Sequence, residues 1–248
     1  MRAIILAAGR GSRMGRLGEE RPKCLIEFCK KPLIERQVAA LRGGGAETVG
    51  VVCGYRADMI KVAGATYFYN QRWSETNMVM SLAAAAEWLK LDHVIVSYAD
   101  IFYRHELVRD LTAAPGDLVV TYDRAWRSLW SRRFTDPLAD AESFRADASG
   151  RLVEIGNRAK SLDEIEGQYM GLLKFTQYAW TEVEALLASL DPHSRDHLDM
   201  TGLLQRMLLR NFMINTLPTT GQWGEIDNPD DLALYERMVR DGELILEE

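Results

Sequence analysis

The sequence predicts an α/β domain, doubly wound around a mixed, mostly parallel sheet, and three observations point there. Short apolar runs recur along the chain at Ala3–Ala7 (AIILA), Thr48–Cys53 (TVGVVC) and His93–Ser97 (HVIVS), the pattern of strands buried on both faces. Stretches with helical spacing separate them, which argues for strand–helix–strand units. A glycine-rich segment follows the first run directly, where an open parallel sheet binds its ligands.

The first run leads into AAGRGSRMGRLGEERPK, ending at Lys23. Gly9, Gly11 and Gly15 let the backbone approach a ligand and turn its N–H groups inward. Arg10, Arg13, Arg16, Arg21 and Lys23 add charge suited to phosphates. The deduction is a polyphosphate-binding loop at the end of the first strand. It is not a dinucleotide fingerprint, because Met14 stands at the third glycine position. It is not a P-loop, because Lys23 lies between Pro22 and Cys24.

A short strand is expected at Lys23–Phe28. Pro32 opens a helix with Leu33, Ile34, Val38 and Leu41 on one face, and Gly43–Gly45 ends it. After the second strand come a turn at Gly54–Tyr55, a short helix and a third strand at Ala65–Tyr69. The polar segment NQRWSETN then runs into a helix starting near Thr76 or Asn77, both competent caps. The fourth strand ends in Asp100, at the ligand edge of the sheet. A carboxylate there can meet Mg²⁺ and phosphates together, or can simply turn the chain.

A helix at Glu106–Leu111 and a strand at Asp117–Tyr122 follow. From Asp123 to Arg145, Trp126, Trp130, Phe134 and Phe144 mix with arginines and acids, and no period of 2 or 3.6 runs through them. This reads as a lid, an acceptor-binding insertion over 123–170, or an oligomer contact. Aromatic faces and carboxylates together suit a cationic amine, although the same rings could serve to pin the segment to the core. Strands at Arg151–Ile155 and Gln168–Phe175, helices at Glu182–Ser189 and Thr201–Arg210, and a strand at Phe212–Thr216 complete the alternation. A last helix starts near Pro229, with Asp230 and Asp231 in its first turn, where acids favour the helix dipole.

The bulk numbers bound the partners. A chain of 248 residues with 47% hydrophobic content suits one α/β domain. A net charge of −6 argues against nucleic acid. Cys24, Cys29 and Cys53 form no metal-binding spacing and fit reduced thiols in the cytoplasm. No apolar run reaches the roughly 18 residues needed to span a bilayer.

The motif LAAGRGSRMG followed by RPKCLIEF resembles the signature of the nucleoside-triphosphate transferase family, which joins a nucleoside monophosphate to a small phosphorylated acceptor. WGEIDNPDDL at Trp223–Leu232 resembles the family's W-x-E-I-D-x-P-x-D-L. The resemblance covers nearly the whole chain. It implies a Rossmann-like nucleotidyltransferase fold in a single domain, 1–248. It also implies that Leu6, Ala7, Ala8, Gly9 and Gly11 hold base and phosphates, that Arg13 and Lys23 are catalytic, and that Asp100 and Asp227 bind Mg²⁺. The family usually has Gly-Asp at the first aspartate, where this chain has Ala99–Asp100. NQRWSETNMVMS resembles an element of phosphocholine-type cytidylyltransferases, which implies that Asn70, Thr76, Asn77 and Ser81 lie near the pyrimidine of CTP. W-x-x-L-W-x-x-R-F at Trp126–Phe134, with DPLADAE at Asp136–Glu142, resembles the phosphocholine and aminoalkylphosphonate enzymes. By that resemblance Trp130 and Arg133 receive a small phosphonate or phosphate-ester acceptor. Gln168–Phe175 resembles the family's Y-x-G strand, which implies Tyr169 as a wall of the same pocket. The basic residue that related enzymes carry after the strand at Arg151–Ile155 would here be Arg158 or Lys160. A homodimer is implied by resemblance alone. The alternatives are a sugar-1-phosphate nucleotidyltransferase and, from another class, a non-catalytic nucleotide-sensing subunit.

Overall fold

The computed structural model describes residues 1–246. Glu247 and Glu248 lie outside the described residues, as do the side chains of Arg16 and Leu17, so the expected basic contribution of Arg16 falls there too. The first half contains β1 (Arg2–Ala7), α1 (Arg16–Glu20), β2 (Glu27–Phe28), β3 (Lys31–Pro32), α2 (Leu33–Gly43), β4 (Thr48–Cys53), β5 (Ala65–Tyr69), α3 (Met78–Ala83) and α4 (Ala86–Leu89). Then follow β6 (Val94–Tyr98), β7 (Ile101–Phe102), α5 (His105–Ala113), β8 (Leu118–Asp123), α6 (Trp126–Arg133), β9 (Glu142–Ala146) and β10 (Leu152–Arg158). The last part holds β11 (Gln168–Phe175), α7 (Gln177–Ser189), α8 (Pro192–Asp196), α9 (Met200–Leu209), β12 (Ile214–Thr219), β13 (Gly224–Glu225) and α10 (Pro229–Arg240).

Seven strands form one sheet in the order β12-β8-β11-β6-β1-β4-β5. All run parallel except β11, which is antiparallel to both β6 and β8. The mixed, mostly parallel sheet expected from the sequence is therefore present. Side-chain alternation along β1 shows how it is covered. Ala3, Ile5 and Ala7 face a core shared with α2, α5, α6 and α10, while Ile4 and Leu6 face a core shared with α3, α4, α7 and α9. Both cores are built of buried aliphatic and aromatic side chains, so the sheet is held from two sides.

Several local expectations differ from the structure. Lys23–Leu25 is a single 3₁₀ turn, and only Glu27–Phe28 pairs, with Lys31–Pro32. The Leu25 and Ile26 N–H groups donate locally, to the Pro22 and Lys23 carbonyls at 2.9 and 3.1 Å, and so do not join a ladder. The stretch from 123 to 145 contains a helix, α6, whose Trp126, Leu129 and Trp130 are buried. Its periodicity was masked because Arg133 lies inside as well, on the apolar side of the pattern. The β9–β10 hairpin packs on α9, where Gln205 Nε2 donates to the Ile155 carbonyl at 2.7 Å.

β11 is irregular between Tyr169 and Leu173, and Gly171 lies at the kink with φ +77°. A Cβ there would lie 2.5 Å from the Tyr98 ring. Both the positive φ and the close approach need glycine. Gly171→Ala is expected to cost roughly 2 kcal/mol or more, which lowers Tm by about 4–8 °C in a chain of this size, read by thermal denaturation. An unchanged Tm would show that the Tyr98 ring yields freely.

Candidate active site

Two cavities open along the carboxyl edge of the sheet. The first, about 300 Å³, is lined by the end of β1 and the glycine loop, by Lys23, by Trp73, Thr76, Asn77 and Ser81, and by Tyr98–Asp100. The second, about 320 Å³, is lined by Trp130, Tyr169 and Trp223, by Asp140, Glu142 and Asp199, and by Glu225 and Asp227. Arg13, Met78 and Tyr98 belong to both walls, so the cavities meet there.

The loop takes its form from a close approach. Gly11 has φ +68°, and a Cβ on it would lie 2.9 Å from the Lys23 Cβ. Glycine thus lets Lys23 pass under the loop toward the strand ends. There its Nζ donates to Asp100 Oδ2 at 2.7 Å and to Asp227 Oδ1 at 2.5 Å. Arg13 Nη2 lies 2.8 Å from the same Asp227 oxygen, with the Arg13 side chain 65% exposed at the cavity junction.

A two-stranded ribbon brings the two aspartates together. β7 and β13 pair antiparallel, with Gly224 opposite Phe102 and Glu225 opposite Ile101, and the Ile226 N–H donates to the Asp100 carbonyl at 2.9 Å. Gln37, buried on α2, pins the turn that carries Asp100 by donating to the Tyr98 and Ile101 carbonyls at 2.6 Å each. On the other side, Asn228 caps α10, and Asp231 in its first turn accepts the Asp227 N–H at 3.0 Å. Asp231 is therefore not only a dipole partner, as the sequence suggested; it anchors the neighbouring aspartate.

Asp100, Glu225 and Asp227 each present a carboxylate oxygen within 4.8 Å of the others. Asp100 Oδ1 is buried and has no hydrogen-bond partner among the described residues. Desolvation and then the charges of Asp100 and Asp227 push the Glu225 carboxyl up to about 8. Burial raises the Asp227 carboxyl, but Lys23, Arg13 and Arg133 outweigh it and hold the group below the usual range. Burial lowers the Lys23 ammonium, and Asp100 and Asp227 more than restore it. Three hard oxygen donors, one without a partner, fit a divalent cation such as Mg²⁺. Glu225 was missed in the sequence, although it sits two residues before Asp227, the spacing that puts two strand side chains on one face.

Other predicted residues fall differently. Leu6, Ala7, Ala8, Gly9, Gly11, Thr76, Asn77 and Ser81 line the first cavity. Asn70 does not. It is buried, and its Nδ2 donates to Thr76 Oγ1 at 2.9 Å and Ser81 Oγ at 3.0 Å while Oδ1 accepts the Arg72 N–H. It holds two wall hydroxyls instead of forming the wall itself. Asn77 also caps α3, accepting the Met78 N–H. Trp130 and Tyr169 line the second cavity, but Arg158 and Lys160 are exposed and lie outside its wall. Arg133 lies outside it too: its side chain is fully buried behind the carboxylates, bonded to Asp231 at 2.9 and 3.0 Å. Steric enclosure by Trp130 and Phe134 keeps it from an acceptor.

The raised Glu225 value sets a pH signature. Its folded value lies above its ordinary 4.5, so the stability of the protonated form is full below about 4.5 and lost as pH rises through 8. Glu225→Gln should match the parent Tm near pH 4.5. It should exceed it above pH 8 by at least about 2–4 °C, the shift roughly 1 kcal/mol makes in a chain of this size. A Tm difference that does not change with pH would refute the assignment.

With this geometry in view, comparison with known proteins places the chain. The MobA-like NTP transferase domain family matches residues 3–162. A CTP:phosphoglutamine cytidylyltransferase of Campylobacter jejuni is 36% identical over 250 residues, covering 94% of this chain and 98% of that protein. A 2-aminoethylphosphonate cytidylyltransferase of Lancefieldella rimae is 30% identical over 62% of this chain and 60% of its own length. The fold matches that of the inositol-1-phosphate CTP transferase of T. maritima, with TM-score 0.75 at 19% identity over 98% of this chain and 96% of that one. The chain therefore belongs to the MobA-like nucleoside-triphosphate transferase family, and it is a nucleotidyltransferase.

Proposed function

We propose that the protein transfers CMP from CTP to a small phosphorylated or phosphonylated acceptor that carries a positively charged nitrogen, releasing pyrophosphate. One observation carries this reading: the cation–carboxylate cluster of Arg13, Lys23, Asp100 and Asp227 stands where the two cavities meet. CTP in the first cavity places its α-phosphorus beside the cluster, and an acceptor in the second reaches the same point from the other side. The Campylobacter and Lancefieldella relatives are both cytidylyltransferases, which favours CTP over other nucleotides. The second wall favours a cation. Asp140, Glu142 and Asp199 line it, and Glu142 is held above the usual carboxylate range by desolvation and by its neighbours Asp199 and Asp140.

In the reaction, an acceptor oxygen bonds to the α-phosphorus as the bond to the bridging oxygen breaks, and pyrophosphate leaves with the electron pair. An acceptor anion needs no strong base, so positioning and charge neutralisation provide the rate. Lys23 and Arg13 stand where they can bind the triphosphate. The loop backbone orients it, and the Thr76–Ser81 wall orients the base. Mg²⁺ held by Asp100, Glu225 and Asp227 would neutralise charge on the phosphates.

The decisive experiment is pyrophosphate release with CTP, UTP, ATP or GTP crossed against phosphoglutamine, phosphocholine, 2-aminoethylphosphonate, a hydroxyalkylphosphonate and glucose-1-phosphate. Release is expected with CTP and a nitrogen-bearing acceptor, to stop with EDTA and to return with Mg²⁺. Asp227→Asn should lower kcat by at least ~100-fold in a folded protein. Release with UTP and the sugar phosphate would instead identify a sugar-1-phosphate nucleotidyltransferase. Nucleotide binding without release for any pair would favour a sensing subunit.

A further inference from the structure

Arg133 has no part in the transfer described above, yet it is among the most constrained side chains near the site. Its guanidinium is fully buried. Nε and Nη2 donate to the two oxygens of Asp231 at 2.9 and 3.0 Å. Its remaining contacts face forward: Nη1 lies 3.5 Å from Glu225 Oε2 and Nη2 lies 3.6 Å from Asp227 Oδ2. The rings of Trp130 and Phe134 flank it at 5.0 and 5.1 Å, a cation–π arrangement that fixes the plane of the fork.

The partners of this one side chain hold Asp227 twice. Asp231 takes the Asp227 main-chain N–H at 3.0 Å, and Arg133 stands behind the Asp227 side chain. A buried arginine serving the fold alone needs a counter-ion; it does not need two of the three carboxylates that converge on the cation site. The stem of Arg133 belongs to α6, whose Trp130 lines the second cavity. Lysine could not replace it, because a point charge cannot bond both Asp231 oxygens and also flank Glu225 and Asp227.

We propose that Arg133 is a positioning residue: it holds Glu225 and Asp227 in the arrangement that binds the divalent cation, and it ties that arrangement to the Trp130 wall of the acceptor cavity. This rests on the metal-carboxylate reading above, and its test needs no turnover.

Mn²⁺ is titrated, without and with CMP, into the parent protein, Arg133→Lys and Asp231→Asn. Free Mn²⁺ is followed by electron paramagnetic resonance, and Tm is measured for each protein. Arg133→Lys keeps the charge and removes the fork. It is expected to raise the Mn²⁺ Kd at least ~10-fold, beyond any loss of Tm. Asp231→Asn is expected to move the Kd in the same direction, and it answers the question if Arg133→Lys does not fold. A lowered Tm with Mn²⁺ affinity unchanged in a folded variant would reduce Arg133 to a structural role and overturn the proposal. A parent protein that binds no Mn²⁺ would overturn the metal assignment itself, and the positioning role with it.

Discussion

The carboxyl edge of this sheet depends on a balance of buried charge. Asp100, Glu225, Asp227 and Asp231 crowd into one region, and Arg13, Lys23 and Arg133 answer them. Carboxylates so close repel one another, and taking them out of water costs several kcal/mol each by general experience with buried ions. Such a cluster is therefore not there for stability. Glu225 shows the remaining imbalance, held at a proton affinity that an exposed glutamate would not have. On the proposed function, that negative charge is what would receive additional cations as two phosphate-bearing molecules are joined.

Lys23, Asp100, the Glu225–Asp227 pair and Asp231 are each delivered by a different, local device. A glycine at a left-handed φ lets Lys23 pass beneath the first loop. A buried glutamine on α2 clamps the turn after β6. A four-residue ribbon sets Glu225 and Asp227 beside Asp100. An asparagine cap starts α10 so that Asp231 faces back toward the site. The sheet supplies a common edge, and these contacts set the distances along it.

The second cavity differs from the first in character. The first is walled by the glycine loop, small residues, hydroxyls and the Trp73 and Tyr98 rings, with Arg13 and Lys23 as its cations and Asp100 as its carboxylate. The second combines carboxylates with Trp130, Tyr169 and Trp223. The indole N–H groups are already committed, Trp130 to Asp140 at 3.1 Å and Trp223 to Asp123 at 2.9 Å. These rings therefore present faces and edges, not N–H donors, to the cavity.

The sequence by itself determined the strands of the sheet's centre, the glycine loop that lines the first cavity and the two aspartates that meet at its edge. Each is a local signal: an apolar run, glycines beside arginines, a carboxylate at a strand end. Those signals depend on neighbours in the chain, and reading along the chain finds them. Tertiary structure decided the rest. Arg133 reads as an acceptor ligand in a polar, aromatic stretch, and only the packing of α6 against α10 turns it inward onto Asp231. Asn70 reads as a base contact, and only the turn around it shows its amide spent on Thr76 and Ser81. Arg158 and Lys160 read as acceptor ligands, and the course of β10 leaves them in solvent. The physical reason is common to all three. A polar side chain's role is set by which charges and hydrogen-bond partners meet it in space, and residues distant in sequence provide them.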